Sequence, residues 1–219
     1  MREKWDMDTK HKRWIALGTL AGGLLLAAAS WGPFVSNVEQ PKYIVVETDG
    51  NIEIRDYEPV IIAETDVTGT REAAIREGFQ IIADYIFGNN LASRKIAMTA
   101  PVTQQTSERI AMTAPVIQRG DGHAWQVMFI MPANYTMETL PKPINPAVRL
   151  KEIERRRVTA IRFSGTANRE NLRRHTAKLQ AFVKSRNLYA VSAPAYAFYD
   201  PPWTLPFLRR NEVLIEISV

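Results

Sequence analysis

The chain contains no cysteine and only three histidines, His11, His123 and His175. The first absence excludes disulfide frameworks, Cys-ligated zinc, iron-sulfur clusters, cysteine nucleophiles and a lipidated-cysteine anchor. Oxidising and reducing compartments both remain open. No GxGxxG, phosphate loop, HExxH, EF-hand loop or GxSxG occurs, so the usual signatures of nucleotide, metal and acyl-transfer chemistry are missing. Charge of one sign is not in large excess: 28 Lys and Arg against 23 Asp and Glu give +5, which favours acidic partners only modestly. What remains, 219 residues with 46% hydrophobic and 23% charged, fits one globular domain with a short accessory segment.

Long apolar runs are also scarce, with one exception. Trp14 to Trp31 carries no charge over 18 positions, the lower end of the roughly 17 to 25 apolar residues that span a bilayer. Before it, five basic residues outnumber three acidic ones, and a positive flank favours the cytoplasmic side. The sequence therefore reads as residues 1–13, a cytoplasmic flank; 14–31, a transmembrane anchor; 32–41, a linker; and 42–219, a domain on the periplasmic or extracytoplasmic side. Ala27, Ala28 and Ala29 support the alternative of a cleaved signal peptide and a secreted domain.

Tyr43 to Tyr57 reads as a hairpin turning at Asp49-Gly50, with Ile52 and Ile54 on one face and Glu53 and Arg55 on the other. A β-rich run, Val60 to Thr68, ends at Gly69. Thr70 to Phe87 has helical spacing, with Gly88-Asn89 as its stop. Its apolar arc runs through Ala74, Ile75, Gly78, Ile81, Ile82 and Tyr85 to an edge at Phe79. Arg76, Ala83 and Phe87 fall beyond that edge, which predicts a second, mostly apolar face with one cation; the alternative is that this face packs under a loop.

The heptapeptide IAMTAPV occurs twice, after Lys95 and after Arg109, and alternation in both copies predicts a second hairpin. Trp125 to Met131 is the next strand, with Trp125, Val127, Phe129 and Met131 on one face. Prolines 141, 143 and 146 punctuate a connection. Val148 to Ser164 holds two strands broken at Arg155-Arg156-Arg157, and Thr166 to Arg186 is a second helix with Asn168 as N-cap and Leu172, Thr176, Leu179, Phe182 and Val183 inward. Ala195 to Tyr199 and the alternating Val213, Ile215, Ile217 and Val219 close the chain. Strand-helix-strand-strand thus occurs twice. It predicts an α+β fold: a distorted antiparallel β-barrel with two helices and an internal pseudo-twofold.

Other chemistry-bearing residues have plainer explanations. His175, at the border of the second helix's stripe, reads as a partnered structural residue rather than a ligand. Glu152 with Glu154, and Asp56 with Glu58, read as solvated strand faces. The arginines 155 to 157, 173 and 174 have no interleaved aromatics, which argues against nucleic acid. Asn134-Tyr-Thr136 matches a short glycosylation pattern.

The motifs IEIRDYEP, AAIREGFQIIADYIFGNN, the doubled IAMTAPV, VMFIMP before Leu140-Pro-Lys-Pro143, RFSG, Tyr199-Asp-Pro-Pro-Trp203 and Arg209-Arg-Asn-Glu-Val213, in this order, resemble the SOUL heme-binding protein family from about Lys42 to Val219. The resemblance implies a binding protein, not an enzyme. It would hold heme or another tetrapyrrole in an open groove formed by the first helix and the loop before the last strand. The architecture also resembles the effector domains of bacterial multidrug-sensing regulators.

By motif, the resemblance places Arg76, Phe79, Ala83 and Phe87 at the groove, with Trp203 on the loop. Asp84 stands where a relative has a lysine, and the loop Trp203 to Leu208 lacks the expected lysine, leaving Arg209 or Arg210 as the replacement cation. The helix face offers no histidine, so the expectation is heme weakly or not axially ligated by His. The anticipated role is a reversible carrier, buffer or sensor held at the membrane. The alternatives are a tetrapyrrole-modifying or heme-degrading enzyme, or a module for non-heme molecules or partners.

Overall fold

A computed structural model describes residues 38–92, 107–120 and 122–218. The flank, the apolar run and most of the linker lie outside these residues, so the expected anchor does too. Among the described residues, no helix is long and apolar enough to cross a membrane.

The first hairpin forms as the sequence predicts. Strands β1 (Tyr43–Asp49) and β2 (Ile52–Tyr57) pair antiparallel from Tyr43–Tyr57 down to Asp49–Ile52. Gly50 takes the positive φ of 60° that its tight turn requires. Strand β3 (Val60–Thr68) leads into helix α1 (Arg71–Ile86). Thr70 caps α1, its Oγ1 accepting from the Ala73 N–H. After the two-residue β4 (Asn90–Leu91) come β5 (Val116–Gly120) and β6 (Ala124–Ile130), then β7 (Lys142–Pro143), which pairs with β4. Strands β8 (Arg149–Ile153) and β9 (Arg156–Phe163) precede helix α2 (Arg169–Ser185), which Asn168 caps. Strands β10 (Ala195–Phe198) and β11 (Asn211–Ile217) end the fold.

Nine strands form one antiparallel sheet in the order β1-β2-β9-β11-β10-β5-β6-β3-β8. The sheet curls into a half-barrel rather than a barrel, because β1 and β8 remain unpaired edges. The strand order is symmetric about the β5-β10 pair. On one side stand β5, β6 and β3, with α1 over β3 and β6; on the other stand β10, β11 and β9, with α2 over β9 and β11. In each half the last strand of the unit is central, and β2 and β8 each cross to border the opposite half.

Strand alternation decides what lies on either side of this sheet. Toward α1 point Ala63, Val67, Trp125, Val127 and Phe129, meeting Ala74, Ile82, Tyr85 and Ile86. Gly78 permits the close approach: a Cβ there would stand 2.6 Å from Val127 Cγ2. Toward α2 point Ile54, Ile161, Val213, Ile215 and Ile217, meeting Leu172, Leu179, Phe182 and Val183. The opposite face carries a third cluster that includes Ile62, Ile117, Met128, Ile130, Val158 and Leu214.

Two expectations are corrected. The second IAMTAPV copy, residues 110–116, is not a hairpin strand; only its final valine enters β5. Its polar groups instead reach three separate segments: the Ile110 N–H donates to Ile86 O, the Ala114 N–H donates to Glu39 O, and the Thr113 hydroxyl donates to Ile130 O. The first copy lies mostly outside the described residues. Ala83, expected beyond the core arc, is only 7% exposed and belongs to the buried part of α1.

Candidate functional site

On α1 the helical repeat sets Arg76 and Phe87 on the side away from the sheet and Phe79 at its flank, with Ala83 buried between them. Phe79 is 37% exposed and Phe87, the C-cap, 56%. The Phe79 ring leans on Phe129 of β6, with centroids 5.3 Å apart, so its inner edge is fixed by the core while its outer edge meets solvent. Arg76 is exposed and has neither hydrogen bond nor ion pair among the described residues. Acidic neighbours Glu72, Glu77 and Asp84 share the exposed surface, Asp84 accepting a hydrogen bond from Asn89 Nδ2.

The loop between β10 and β11 exposes Trp203, Leu205, Phe207 and Leu208, with Trp203 at 77%. A short 3-10 turn, Pro206–Leu208, shapes it, and Pro206 O accepts from the Gly165 N–H at 2.8 Å. Arg71, at the start of α1, donates from Nη1 to Ala167 O at 3.0 Å and lies over Phe198. The loop and the first turn of α1 thus meet the same short segment, 165–167. No described contact joins Trp203 to Arg76, Phe79 or Phe87.

The two arginines proposed as replacement cations are committed elsewhere. Arg209 donates from Nε to Thr204 O at 2.7 Å and from Nη2 to Pro202 O, bracing its own loop. Arg210 turns to the other face of the sheet. Its Nη2 and Nε donate to Glu212 Oε1 at 2.8 and 3.0 Å, and its guanidinium lies 3.8 Å from the Tyr199 ring centroid.

Glu212 is the centre of a buried network that the sequence did not announce. Fully buried, it accepts from Arg55 Nη1 at 2.7 Å, Arg55 Nη2 at 3.1 Å and Tyr199 OH at 2.9 Å. Burial by itself pushes the Glu212 carboxyl up, but hydrogen bonds and charge from Arg55 and Arg210 outweigh it and hold it below the usual carboxylate value. Arg55 completes the shell with bonds to Glu53 and Tyr57 and a stack on Tyr43. The bidentate pairing and absence of open surface mark this as structural.

His175 is likewise spoken for. Its Nδ1 lies 2.8 Å from Asn171 O, and its ring stacks on Phe163 with centroids 4.0 Å apart. Among the described residues no group of His, Asp and Glu could hold a metal ion. The paired carboxylates are engaged only in part: Asp56 binds Arg157 at 2.6 and 2.7 Å.

Neither of the two principal cavities among the described residues is lined by α1. One, about 300 Å³, lies over the sheet face opposite the helices; the other, about 540 Å³, lies among Glu39, Lys42, Met131 and Tyr135.

An α+β domain of this kind, a curled antiparallel sheet with one helix on each half, also occurs in the EcmrR C-terminal domain. That crystal structure superposes with a TM-score of 0.55 at 11% identity, covering 80% of this chain and 98% of the other. The EcmrR–DNA complex solved by cryo-EM gives 0.54 at 9% identity, covering 92% and 65%. A hydrolase from Listeria innocua superposes less closely, with a TM-score of 0.46 at 12% identity over 87% and 98%. No curated protein matches in sequence. The family model of the SOUL heme-binding protein does match, over residues 38–216. The chain belongs to the SOUL heme-binding protein family.

Proposed function

We propose that the domain binds heme or a related tetrapyrrole reversibly on the open outer face of α1. The carrying observation is an uncommitted guanidinium, Arg76, on the same helix side as two partly exposed phenylalanine rings, in a chain of a heme-binding family. A tetrapyrrole needs apolar contact for its ring and a cation for its carboxylates. Phe79 and Phe87 supply the first, at about 25 cal/mol for each Å² of apolar surface removed from water. Arg76 supplies the second through charge-assisted hydrogen bonds.

The side chains suit a surface-held disc better than a redox centre. The outer positions of α1 include no His, Met or Tyr; Tyr85 is buried and donates its hydroxyl to Pro141 O at 2.8 Å. Iron ligation by this helix is therefore not part of the proposal. An exposed Arg–carboxylate contact is screened by salt, so affinity should fall as ionic strength rises. Such weak, reversible binding suits a carrier, buffer or sensor. We place the domain on the extracytoplasmic side of a membrane, tethered through Trp14 to Trp31.

A heme titration followed by Soret absorbance tests the site, with wild type beside Arg76→Glu and Phe79→Asp. Each variant should weaken binding about tenfold or more. Wild-type affinity in both variants would remove the site from α1. Binding without turnover also predicts that the Soret band survives incubation with a reductant; bleaching would make the protein an enzyme.

A further inference from the structure

The face of the sheet opposite the helices holds a second chemistry, unrelated to α1. Its cavity of about 300 Å³ has an apolar floor of Ile117, Met128, Val158 and Leu214 from strands β5, β6, β9 and β11. Two arginines, Arg119 of β5 and Arg156 of β9, line it as well. Neither guanidinium makes a hydrogen bond among the described residues. Arg119 Nε is shielded from water and unpartnered, and Arg156 has only a loose ion pair, its Nη1 standing 3.9 Å from Glu216 Oε2. Burial holds Arg156 below the usual arginine value; the charge of Glu216 opposes this, and the neighbouring charge of Arg119 adds to the lowering.

A guanidinium donor shielded from water without an acceptor, as Arg119 Nε is among the described residues, is costly to leave so. The contrast with Arg55, whose donors on the same face reach Glu53, Tyr57 and Glu212, shows how the fold treats a cation it means to neutralise internally. The other charges at the cavity do not satisfy the pair. Glu64 is engaged by Arg149 at 3.3 Å, Lys151, Glu152 and Glu154 lie on or beside the exposed edge strand β8, and Glu216 reaches only the long contact to Arg156. We propose that this cavity binds a small anionic amphiphile, its carboxylate or phosphate head between Arg119 and Arg156 and its apolar body against Met128, Val158 and Leu214. The volume, at the lower end of the roughly 300 to 1,000 Å³ typical of small-molecule pockets, suits a medium-length chain.

Isothermal titration of the full chain with octanoate, octyl phosphate and 1-octanol tests this. At least one anion should bind, and octanol at least about tenfold more weakly; the preferred anion separates a carboxylate from a phosphate head. Arg119→Gln and Arg156→Gln should each weaken that anion about tenfold, while heme titration stays at wild-type affinity. Arg119→Gln should not lower the ligand-free melting midpoint, since it removes no side-chain hydrogen bond among the described residues, whereas Arg156→Gln also loses the loose ion pair to Glu216. Octanol matching the anions, no anion binding, or anion affinity unchanged in both variants would overturn the proposal. A lowered ligand-free midpoint in Arg119→Gln would overturn it too, by showing that guanidinium already partnered.

Discussion

The two halves of the sheet share one plan and carry different chemistry. Helices α1 and α2 pack on equivalent strand pairs, and each buries one stripe. Their outer faces diverge. On α2 the exposed positions are Arg169, Glu170, Arg173, Arg174, Lys178, Gln180 and Lys184 with small residues, whereas α1 leaves Phe79 and Phe87 in water beside Arg76. The inner faces diverge as well: β11 presents Glu212, Leu214 and Glu216 where β6, the central strand of the other half, presents Gln126, Met128 and Ile130. Packing constrains only the buried stripe, so a duplicated framework leaves the remaining faces open to separate use.

The comparison breaks most visibly at Glu212. Glu212→Ala removes the bidentate partner of buried Arg55, leaving it only the carboxylate of Glu53, and takes the anion from half-buried Arg210; it should cost about 3 to 5 kcal/mol, read from urea midpoints. A cost below about 1 kcal/mol would show that the network is not needed. Because the folded carboxyl titrates below its ordinary value of 4.5, its contribution is complete above about pH 4.5 and disappears as pH falls through the folded value. Glu212→Gln should therefore flatten the acid side of the stability profile.

Next in size, the two helices should answer alike where they pack alike. Ile82→Ala on α1 and Leu179→Ala on α2 each empty a fully buried position, and each should cost about 2 to 5 kcal/mol. Unequal losses, with one helix nearly indifferent, would mean that the halves are not energetically equivalent. Where the helices differ, charge reversal should separate them. Arg76→Glu should change stability by about 0.5 kcal/mol or less yet weaken heme binding, and Arg174→Glu should leave heme affinity unaltered. Equal losses of heme affinity would point to a general electrostatic effect instead of a site.

The smallest effect belongs to His175, present on α2 and without a counterpart on α1. Burial lowers its pKa, the bond to Asn171 O opposes this, and Arg174 and Lys178 add to the lowering. Stability from the neutral ring is complete above about pH 6.5 and declines as pH falls toward the folded value. His175→Phe should abolish that small decline in the melting midpoint between about pH 7 and pH 5.5, and an unaltered slope would assign the decline to another group.

Much of the framework was legible because it is written in local periods. Alternation located β3 at Val60–Thr68 and the inward face of β6, helical spacing located α1, and the Asn168 cap located the start of α2. Alternation also misled. Residues 110–115 alternate like a strand, yet their backbone N–H groups reach Ile86 and Glu39 and the Thr113 hydroxyl reaches Ile130, which the side-chain pattern does not encode. Of the candidate site, Arg76 and Phe87 lie on the outer side of α1 with Phe79 at its flank, while Ala83 is covered and Arg209 and Arg210 are spent on local bonds.

By itself the sequence determined where strands and helices run and which residues share a face, because periods of 2 and 3.6 residues act between near neighbours. Only the tertiary structure decided which polar faces meet water. Arg55 and Glu212 lie 157 positions apart, and whether a charge is neutralised in the interior or left waiting, as at Arg119 and Arg156, depends on what the folded sheet brings within reach.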